Sequence, residues 1–427
     1  MFLKYKKNKF ISNFLSLSSL QIASYIFPLL TIPYLVRVLG VDNFGLIAFA
    51  GGIVFYFNVL VSYGFGLTAT KDISVQRDNL SKLNKIFSAV ISTQLFLLFI
   101  SCILFFVLIF SIESIWNERI LYIYSFIFAL SNTFFPIFFF QGMEQMKYIT
   151  IINVISRIIS TAAIFIFITC REDYYLVPAV YAFFTFISTV YSIYFIGKTF
   201  NVHVSFVSIQ RILKTLKDGR HIFISNIGIT LYDNTVIVIL GFLTTLETVG
   251  YFSVAQKLIK AIISLSQPIY KTVYPHIMLL AKESKPEALK FIRKVAFFSS
   301  IVNLFIFFII LIFANQILIF LFGDNIEESI VIIQIMSLLP LIVGLNNIIG
   351  VQTLIAFNLQ HFLSKITVFI GILSLPVSFS VIYVYGAQGA AIVTLIVELS
   401  ILIFIYIYLI KNKIYILTKK DFNVSNI

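Results

Sequence analysis

The sequence predicts an all-α integral membrane protein of about twelve transmembrane helices in two six-helix bundles, with both termini cytoplasmic. Three observations predict this fold: the composition, a series of long apolar runs, and the distribution of positive charge. Of the 427 residues, 60% are hydrophobic and 11% are charged, against roughly 25% charged in a soluble domain. A water-soluble fold could not bury so much apolar surface, so lipid is the expected solvent.

The stretch from Pro28 to Asp72 shows the repeating unit of this fold. Two apolar runs, residues 11–36 and 44–69, flank a short turn. Both runs are apolar on every side of a helix, which is typical of a helix surrounded by lipid. Each run also exceeds the roughly 20 residues that cross a hydrocarbon core. The stretch is therefore predicted to be a transmembrane hairpin.

Polar breaks divide the whole chain into about twelve such runs. They cover residues 11–36, 44–70, 86–111, 120–143, 149–170, 175–197, 221–243, 250–272, 295–322, 329–357, 366–386 and 389–410. The basic N-terminus before the first run resembles that of a signal peptide, but the run is too long and lacks a small-residue cleavage pattern. We interpret it as a retained span.

The positive charge predicts the orientation of the spans. With a cytoplasmic N-terminus, 24 of the 31 Lys and Arg residues lie in cytoplasmic segments, and only Arg37, Arg119 and Arg171 lie in opposite loops. This asymmetry follows the positive-inside rule and predicts that both termini are cytoplasmic. The net charge of +13 then belongs to loops that face an anionic leaflet. Nucleic acid binding is not needed to explain it.

The longest cytoplasmic loop divides the chain into the predicted domains. Residues 1–197 form an N-terminal six-helix bundle, residues 198–220 a cytoplasmic interfacial linker, and residues 221–427 a C-terminal six-helix bundle with a short cytoplasmic tail. The linker carries basic residues at a three-residue spacing, which favours a helix lying on the membrane surface; these are Arg211, Lys214, Lys217 and Arg220. Leu-Gly pairs at 39–40 and 240–241 indicate a parallel repeat around a central cavity.

Ionisable residues inside the spans are the candidate functional residues, because a charge in hydrocarbon is costly. The eighth run carries a polar stripe at spacings of three and four residues, which places its members on one helical face. The stripe consists of Lys257, Lys260, Ser264, Gln267 and Lys271. Pro268 is expected to kink this helix near its cytoplasmic end.

Counting from the outer turns assigns a depth to the remaining charges. Asp233, Lys257, Lys260 and Glu398 are expected to cluster by depth near the bilayer midplane, and Arg157 and Lys271 to lie nearer the cytoplasm. An aspartate at the midplane should have a partner, so Asp233 is predicted to pair with Lys260 or Lys257. Structural interpretations stay open: an ion pair joining two spans, a packing hydrogen bond for Glu398, and a snorkelling Lys271.

Three motifs, in this order, resemble those of bacterial polysaccharide flippases. They are the first outer turn, at residues 35–40 with Phe44 and Gly45; the segment 140–148; and residues 386–391 with Glu398. In length, span number and division into six and six spans, the whole chain is similar to O-antigen repeat-unit flippases of the Wzx type. These belong to the polysaccharide transporter branch of the MOP superfamily, which has a MATE-like fold. The outer-turn motif comprises Arg37, Gly40, Asp42 and Gly45.

The resemblance implies a transporter of the inner membrane rather than an enzyme. It would move oligosaccharide repeat units on undecaprenyl pyrophosphate from the cytoplasmic to the periplasmic leaflet by alternating access. Because a pyrophosphate cannot cross hydrocarbon unpaired, the charged and polar residues of the spans would line its cavity: Lys257, Lys260, Asp233, Arg157, Glu398, Gln267 and Lys271. No cofactor or metal is implied. Coupling to an H⁺ or Na⁺ gradient, and partnership with a polysaccharide polymerase and a chain-length regulator, are left open.

Three other functions stay open at this point. A MATE-type multidrug or cation antiporter would need an acidic or aromatic cavity, whereas basic residues outnumber acids among the buried groups. A lipid II flippase shares the fold and the headgroup chemistry and is harder to separate. A membrane polysaccharide polymerase would need a sizeable outer loop, and the predicted outer loops are short. No glycine-rich phosphate loop or nucleophile elbow supports ATP hydrolysis or acyl transfer.

Overall fold

The computed structural model describes residues 19, 21, 23–24, 26–323 and 326–416. Within these ranges the regular structure is helical and contains no β-strand. The predicted all-α membrane fold class is therefore confirmed. Residues 11–18, 20, 22 and 25 of the first predicted run lie outside the described residues, and the described end of the run belongs to helix α1, Ile26–Leu39.

The chain divides into two compact units, Met1–Ile227 and Gly228–Ile427. The first unit contains α1 to α9, a 3₁₀ turn, and the first part of α10. Their bounds are α2 Val41–Ser62, α3 Phe65–Gln76, α4 Leu80–Ser111, α5 Glu113–Asn117, α6 Arg119–Phe134, α7 Ile137–Gly142, α8 Met146–Phe167, the 3₁₀ turn Arg171–Tyr175, α9 Leu176–Phe200 and α10 Ile209–Asp233.

The second unit contains the end of α10, helices α11 to α18 and one π-helical segment. Their bounds are α11 Thr235–Leu243, α12 Leu246–Leu265, α13 Gln267–Glu283, α14 Lys285–Phe322, α15 Glu327–Met336, α16 Leu339–Leu345, the π-helical segment Asn346–Gln352, α17 Thr353–Ala356 and α18 Gln360–Lys411.

Eight helical stretches of the described ranges are long and apolar enough to cross a membrane, or nine if α10 and α11, which meet at a bend of 42°, form one span. Helix α18 has 52 residues and non-helical backbone at Gly386, with φ of 54°. It therefore covers two of the predicted runs, 366–386 and 389–410. The count of twelve spans and the side of each terminus stay predictions.

At the break between α6 and α7, a side chain from another helix replaces a backbone hydrogen bond that the interrupted span has lost. Pro136 follows the end of α6, and the Ile137 N–H donates to the Phe135 carbonyl oxygen instead of to that of Thr133. Gln94 Nε2 from α4 donates to the Thr133 carbonyl oxygen at 3.2 Å in its place. An unpaired carbonyl is costly in lipid, so this buried amide permits the break.

The predicted interfacial linker differs from the structure in its bounds. Residues 201–208 are not helical, and α10 then runs without interruption from the basic segment into the seventh predicted run. Its inner face packs where α2 meets α3, with Phe223 stacked on Tyr63 at 4.3 Å. Because of this packing, the first unit continues to Ile227 rather than ending before residue 198. The predicted division into two six-helix bundles stays a prediction.

Candidate functional site

An ion pair joins the seventh and eighth predicted runs. Lys260 Nζ of α12 lies 2.8 Å from Asp233 Oδ1, and the two side chains are 48% and 47% exposed. Asp233 is the last residue of α10, at the bend before α11. Asp233 thus pairs with Lys260, one of the two lysines that the depth count allowed. Helix α12 begins at Leu246 and not at Gly250, so Lys260 lies further from the turn than Asp233 does. The pair is open to a ligand.

Glu398 of α18 lies within electrostatic reach of this ion pair. The charges of Asp233 and Lys260 both act on its carboxylate, and both carboxylates act on the Tyr232 hydroxyl. Lys257 lies one helical turn from Lys260, and the two ammonium groups repel each other. The structure thus brings together Asp233, Lys257, Lys260 and Glu398, which we name the charged cluster. It combines two positive with two negative groups inside the second unit.

Asn346, at the start of the π-helical segment, holds the Glu398 carboxylate. Asn346 Nδ2 donates to Glu398 Oε2 at 2.7 Å and to the Glu398 backbone carbonyl oxygen at 2.9 Å. Asparagine carries no charge, so the search for ionisable residues missed it. The spacing of the chain gave no signal that the tenth and twelfth predicted runs would meet at these two residues.

The helix that carries the polar stripe of the eighth run is interrupted at one residue. Helix α12 ends at Leu265 and α13 begins at Gln267, so Ser266 separates Lys257 and Lys260 from Gln267 and Lys271. Ser264 is buried and its hydroxyl donates to the Ala261 carbonyl oxygen of its own helix. Pro268 occupies the first turn of α13, which places the break close to the expected kink. Ser266 itself keeps right-handed helical backbone, with φ of -82° and ψ of -15°, so the single polar face from Lys257 to Lys271 stays a prediction.

Arg157 belongs to the other unit and has a different environment. It is half-buried near the middle of α8, and no carboxylate pairs with it among the residues that the structure describes. Tyr181 of α9 acts electrostatically on Arg157, and the Tyr181 hydroxyl donates to Thr31 Oγ1 at 3.4 Å. Arg157 is therefore a cation of a membrane-spanning helix that no acid among the described residues neutralises.

The outer-turn motif is bound to Arg171 by an ion pair and a backbone hydrogen bond, all within the first unit. The Arg171 guanidinium lies 2.7 Å and 2.8 Å from the two carboxylate oxygens of Asp42, and Asn43 Nδ2 donates to the Arg171 carbonyl oxygen at 3.0 Å. Gly40 has φ of 84°, and a Cβ there would lie 2.7 Å from Asp42 Oδ1. Gly45 is buried, whereas Arg37 is exposed. Two motif residues thus have a structural explanation, and the sequence had not identified Arg171 as their partner.

Comparison with known proteins agrees with this architecture. The family model "Polysaccharide biosynthesis protein" matches residues 10–281. The "Putative O-antigen transporter" of Escherichia coli (strain K12) is 30% identical over 403 residues, which are 94% of this chain and 97% of that protein. The protein of the same name from Shigella dysenteriae is 27% identical over 399 residues, 92% of this chain and 98% of that one.

Two solved structures share the fold at low sequence identity. The lipid II flippase MurJ, in its inward closed conformation, has a TM-score of 0.70 and 14% identity, with 94% of this chain and 87% of that chain covered. An inward-facing MATE family transporter of the MOP superfamily has a TM-score of 0.61 and 13% identity, with 90% and 98% covered. The family match, the relatives and the fold together show that the chain is a multi-pass membrane transporter of the polysaccharide biosynthesis protein family, with the fold of the MOP superfamily.

Proposed function

We propose that this transporter is a flippase for oligosaccharide repeat units linked to undecaprenyl pyrophosphate, moving them from the cytoplasmic to the periplasmic leaflet of the inner membrane. The observation that carries the proposal is the charged cluster of Asp233, Lys257, Lys260 and Glu398. The side chains of its Lys260–Asp233 ion pair are about half exposed. The names of the relatives support the choice of cargo.

The ion pair suits a cargo with a pyrophosphate. In the empty site Asp233 neutralises Lys260 and lowers the cost of a cation inside the membrane. An arriving pyrophosphate offers Lys260 another anion, so the pair can open without leaving the lysine uncompensated. Lys257, one turn away, is a second ammonium group for the same anion. Gln267 and Lys271, beyond the break at Ser266, would meet the cargo on its way in.

We also propose that Arg157, in the first unit, binds phosphate oxygens of the cargo. Guanidinium binds phosphate oxygens through paired N–H donors, and this one has no carboxylate partner in its described surroundings. A cationic drug would gain nothing from such a group, which disfavours a multidrug antiporter. A lipid II flippase remains the alternative, because lipid II also carries a pyrophosphate and the MurJ fold is similar.

Net transport in one direction needs a source of energy. For this we propose an H⁺ or Na⁺ gradient, or the consumption of the translocated repeat units on the periplasmic side. A polysaccharide polymerase and a chain-length regulator would be the partners that consume them. Both proposals follow from the direction of transport.

The proposed function can be tested with the purified protein in proteoliposomes. Three cargoes are compared: a fluorescent repeat unit on undecaprenyl pyrophosphate, fluorescent lipid II, and an organic cation such as ethidium. We expect transport of the first, none of the third, and a much lower rate with lipid II. Transport of ethidium alone would replace the proposal with the antiporter, and an equal or higher rate with lipid II would replace it with the lipid II flippase.

A further inference from the structure

The Asn346 amide has an acceptor that no group of its surroundings satisfies. The residue is 8% exposed. Its Nδ2 is committed to the two oxygens of Glu398, one of the carboxylate and one of the backbone. Its Oδ1 is buried and has no hydrogen-bond partner in the described ranges. Rotating the amide by half a turn would set Oδ1 against the Glu398 carboxylate, so the orientation is fixed by charge.

The helix around Asn346 is unusual as well. Residues Asn346–Gln352 are π-helical, a geometry that occurs mostly as short insertions and often at functional sites. Thr353 Oγ1 donates to the Ile348 carbonyl oxygen at 2.9 Å, which satisfies part of the widened turn. Asn346 Oδ1 and Gln352 Oε1, at the two ends of this segment, are both buried and have no hydrogen-bond partner among the described residues. Of the two residues, Asn346 is the one that is bound to the Glu398 carboxylate.

Glu398 presents a second acceptor beside it. Asn346 holds only one carboxylate oxygen, Oε2, and an ionised carboxylate can accept several hydrogen bonds on each oxygen. Glu398 Oε1 and Asn346 Oδ1 are thus two neighbouring acceptors, next to the lysines of the charged cluster. A buried acceptor without a donor is destabilising, so the site fits a ligand that brings hydrogen-bond donors.

Two kinds of ligand bind to oxygen acceptors: a metal cation, which coordinates them, or a molecule whose hydroxyl or amide N–H groups donate hydrogen bonds to them. The surroundings favour the second kind. Asp233 and Lys260 both act on the Glu398 carboxylate, Asp233 is paired with Lys260, and Lys257 adds a further positive charge beside Lys260. The two carboxylates of the cluster are thus balanced by two ammonium groups, which leaves no excess negative charge to hold a metal cation, whereas a neutral sugar needs none.

We propose that Glu398 and Asn346 form a sugar subsite, in which Glu398 accepts hydrogen bonds from hydroxyl or acetamido N–H groups of the sugar nearest the pyrophosphate. Asn346 is the positioning residue that fixes the carboxylate. The inference rests on the proposed function and deepens it, because it divides the cargo between two parts of one site: the lysines meet the pyrophosphate, and the Glu398–Asn346 pair selects the sugar.

The test measures binding of two probes to the full-length protein in nanodiscs. The probes are undecaprenyl pyrophosphate, and the same lipid with one N-acetylhexosamine. We expect the wild type to bind the glycosylated probe more tightly. Glu398→Gln and Asn346→Leu should weaken binding of the glycosylated probe about tenfold, as expected for lost hydrogen bonds to a charged group, and binding of the bare lipid less than twofold. Lys260→Gln should weaken both.

The neighbouring Asn347 provides the matched control. Its Oδ1 accepts a hydrogen bond from Gln352 within the π-helical segment, so Asn347→Ala tests a change of the same kind outside the subsite and should leave the preference for the sugar unchanged. Thermal unfolding reports folding of each variant. If Asn346→Leu does not fold, Asn346→Ser retains a small polar side chain and replaces it.

The other outcomes contradict either the sugar subsite or the proposed function. An equal loss for both probes in Glu398→Gln and Asn346→Leu would overturn the subsite and leave the pair as a packing contact. Sodium-22 binding that disappears in Glu398→Gln would replace the sugar by a cation. A wild type that binds neither probe would contradict the proposed function itself, whereas tight binding of both probes without preference would contradict only the subsite.

Discussion

Lys260 Nζ lies 2.8 Å from Asp233 Oδ1, at the point where the helix that carries Asp233 is interrupted. Both side chains are about half exposed, so their attraction stabilises the fold by only about 1 kcal/mol or less. The pair is thus strong enough to balance the charges of an empty site and weak enough to be exchanged for a cargo anion.

Replacing either member of this pair should impair transport more than folding. Lys260→Ala is expected to lower transport of the lipid-linked repeat unit at least tenfold while the protein stays in the membrane, and Lys260→Arg to retain more activity. Asp233→Asn should also impair transport, because it leaves the lysine uncompensated. Thermal unfolding and proteoliposome transport, measured separately, check both effects.

The double variant separates a cargo role from a structural one. Asp233→Asn with Lys260→Gln removes both charges and should recover stability more than activity. Full transport by this variant would show that neither charge handles cargo. Failure of Lys260→Ala to accumulate in the membrane would point to structural pairing.

Arg157 should behave differently from Lys260, because no carboxylate balances it within its described surroundings. Arg157→Gln removes a costly charge from α8 and is expected to leave stability unchanged or slightly higher, while weakening binding of undecaprenyl pyrophosphate. Arg157→Lys keeps the charge but loses the paired N–H donors, so it should recover only part of that affinity. A marked drop in thermal stability in Arg157→Gln would instead assign the residue to packing.

The crossing of α10 and α18 depends on two glycines. A Cβ on Gly371 would collide with the Gly228 carbonyl oxygen, and a Cβ on Gly228 would lie 2.8 Å from Val368 Cα. Gly371→Ala should therefore destabilise the protein by about 1–3 kcal/mol, since backbone must move to admit the methyl group. Gly66→Ala is the matched control: a Cβ there meets nothing within 4 Å. Equal melting temperatures for the two variants would contradict this prediction.

The free energy of unfolding should depend more on Gly40 of the outer turn than on the Asp42–Arg171 ion pair. Gly40→Ala strains a backbone with φ of 84° and forces Asp42 away, so a loss of at least 1 kcal/mol is expected. Arg171→Ala and Asp42→Ala remove a largely exposed pair and should each cost less than about 1 kcal/mol. Chemical denaturation of the three variants ranks them; a larger loss in Arg171→Ala would reverse the assignment.

Cys170 offers a test of orientation without added residues. It is exposed just before the 3₁₀ turn Arg171–Tyr175, and the predicted topology places it outside. A membrane-impermeant maleimide should label it in cells whose outer membrane is permeabilised. Its thiol donates to the Asp173 carboxylate at 3.2 Å, and this hydrogen bond raises the pKa of the thiol. Asp173→Asn should therefore speed the labelling near neutral pH, and labelling only after inner-membrane lysis would invert the topology.

Local chemistry accounts for much of what could be predicted. Long apolar runs form helices in lipid because every backbone group is then paired within its own segment. Of the observed breaks, the predicted runs reproduce the one at Gly386, whereas those at Gly64 and Pro136 lie inside the predicted runs 44–70 and 120–143. The Asp233–Lys260 pair was also predictable, since the two residues lie on consecutive helices joined by a short turn, which limits the difference in their depth.

The sequence by itself determined the fold class, the membrane setting and the identity of the costly charges, because lipid imposes strict rules on composition and on helix length. The tertiary structure alone decided which distant residues meet: Asn346 with Glu398, Asp42 with Arg171, and Gly228 with Gly371. It also decided that the helix of the eighth run is interrupted at Ser266. Such contacts depend on how helices far apart in the chain pack and cross, and no periodicity within one helix records that arrangement.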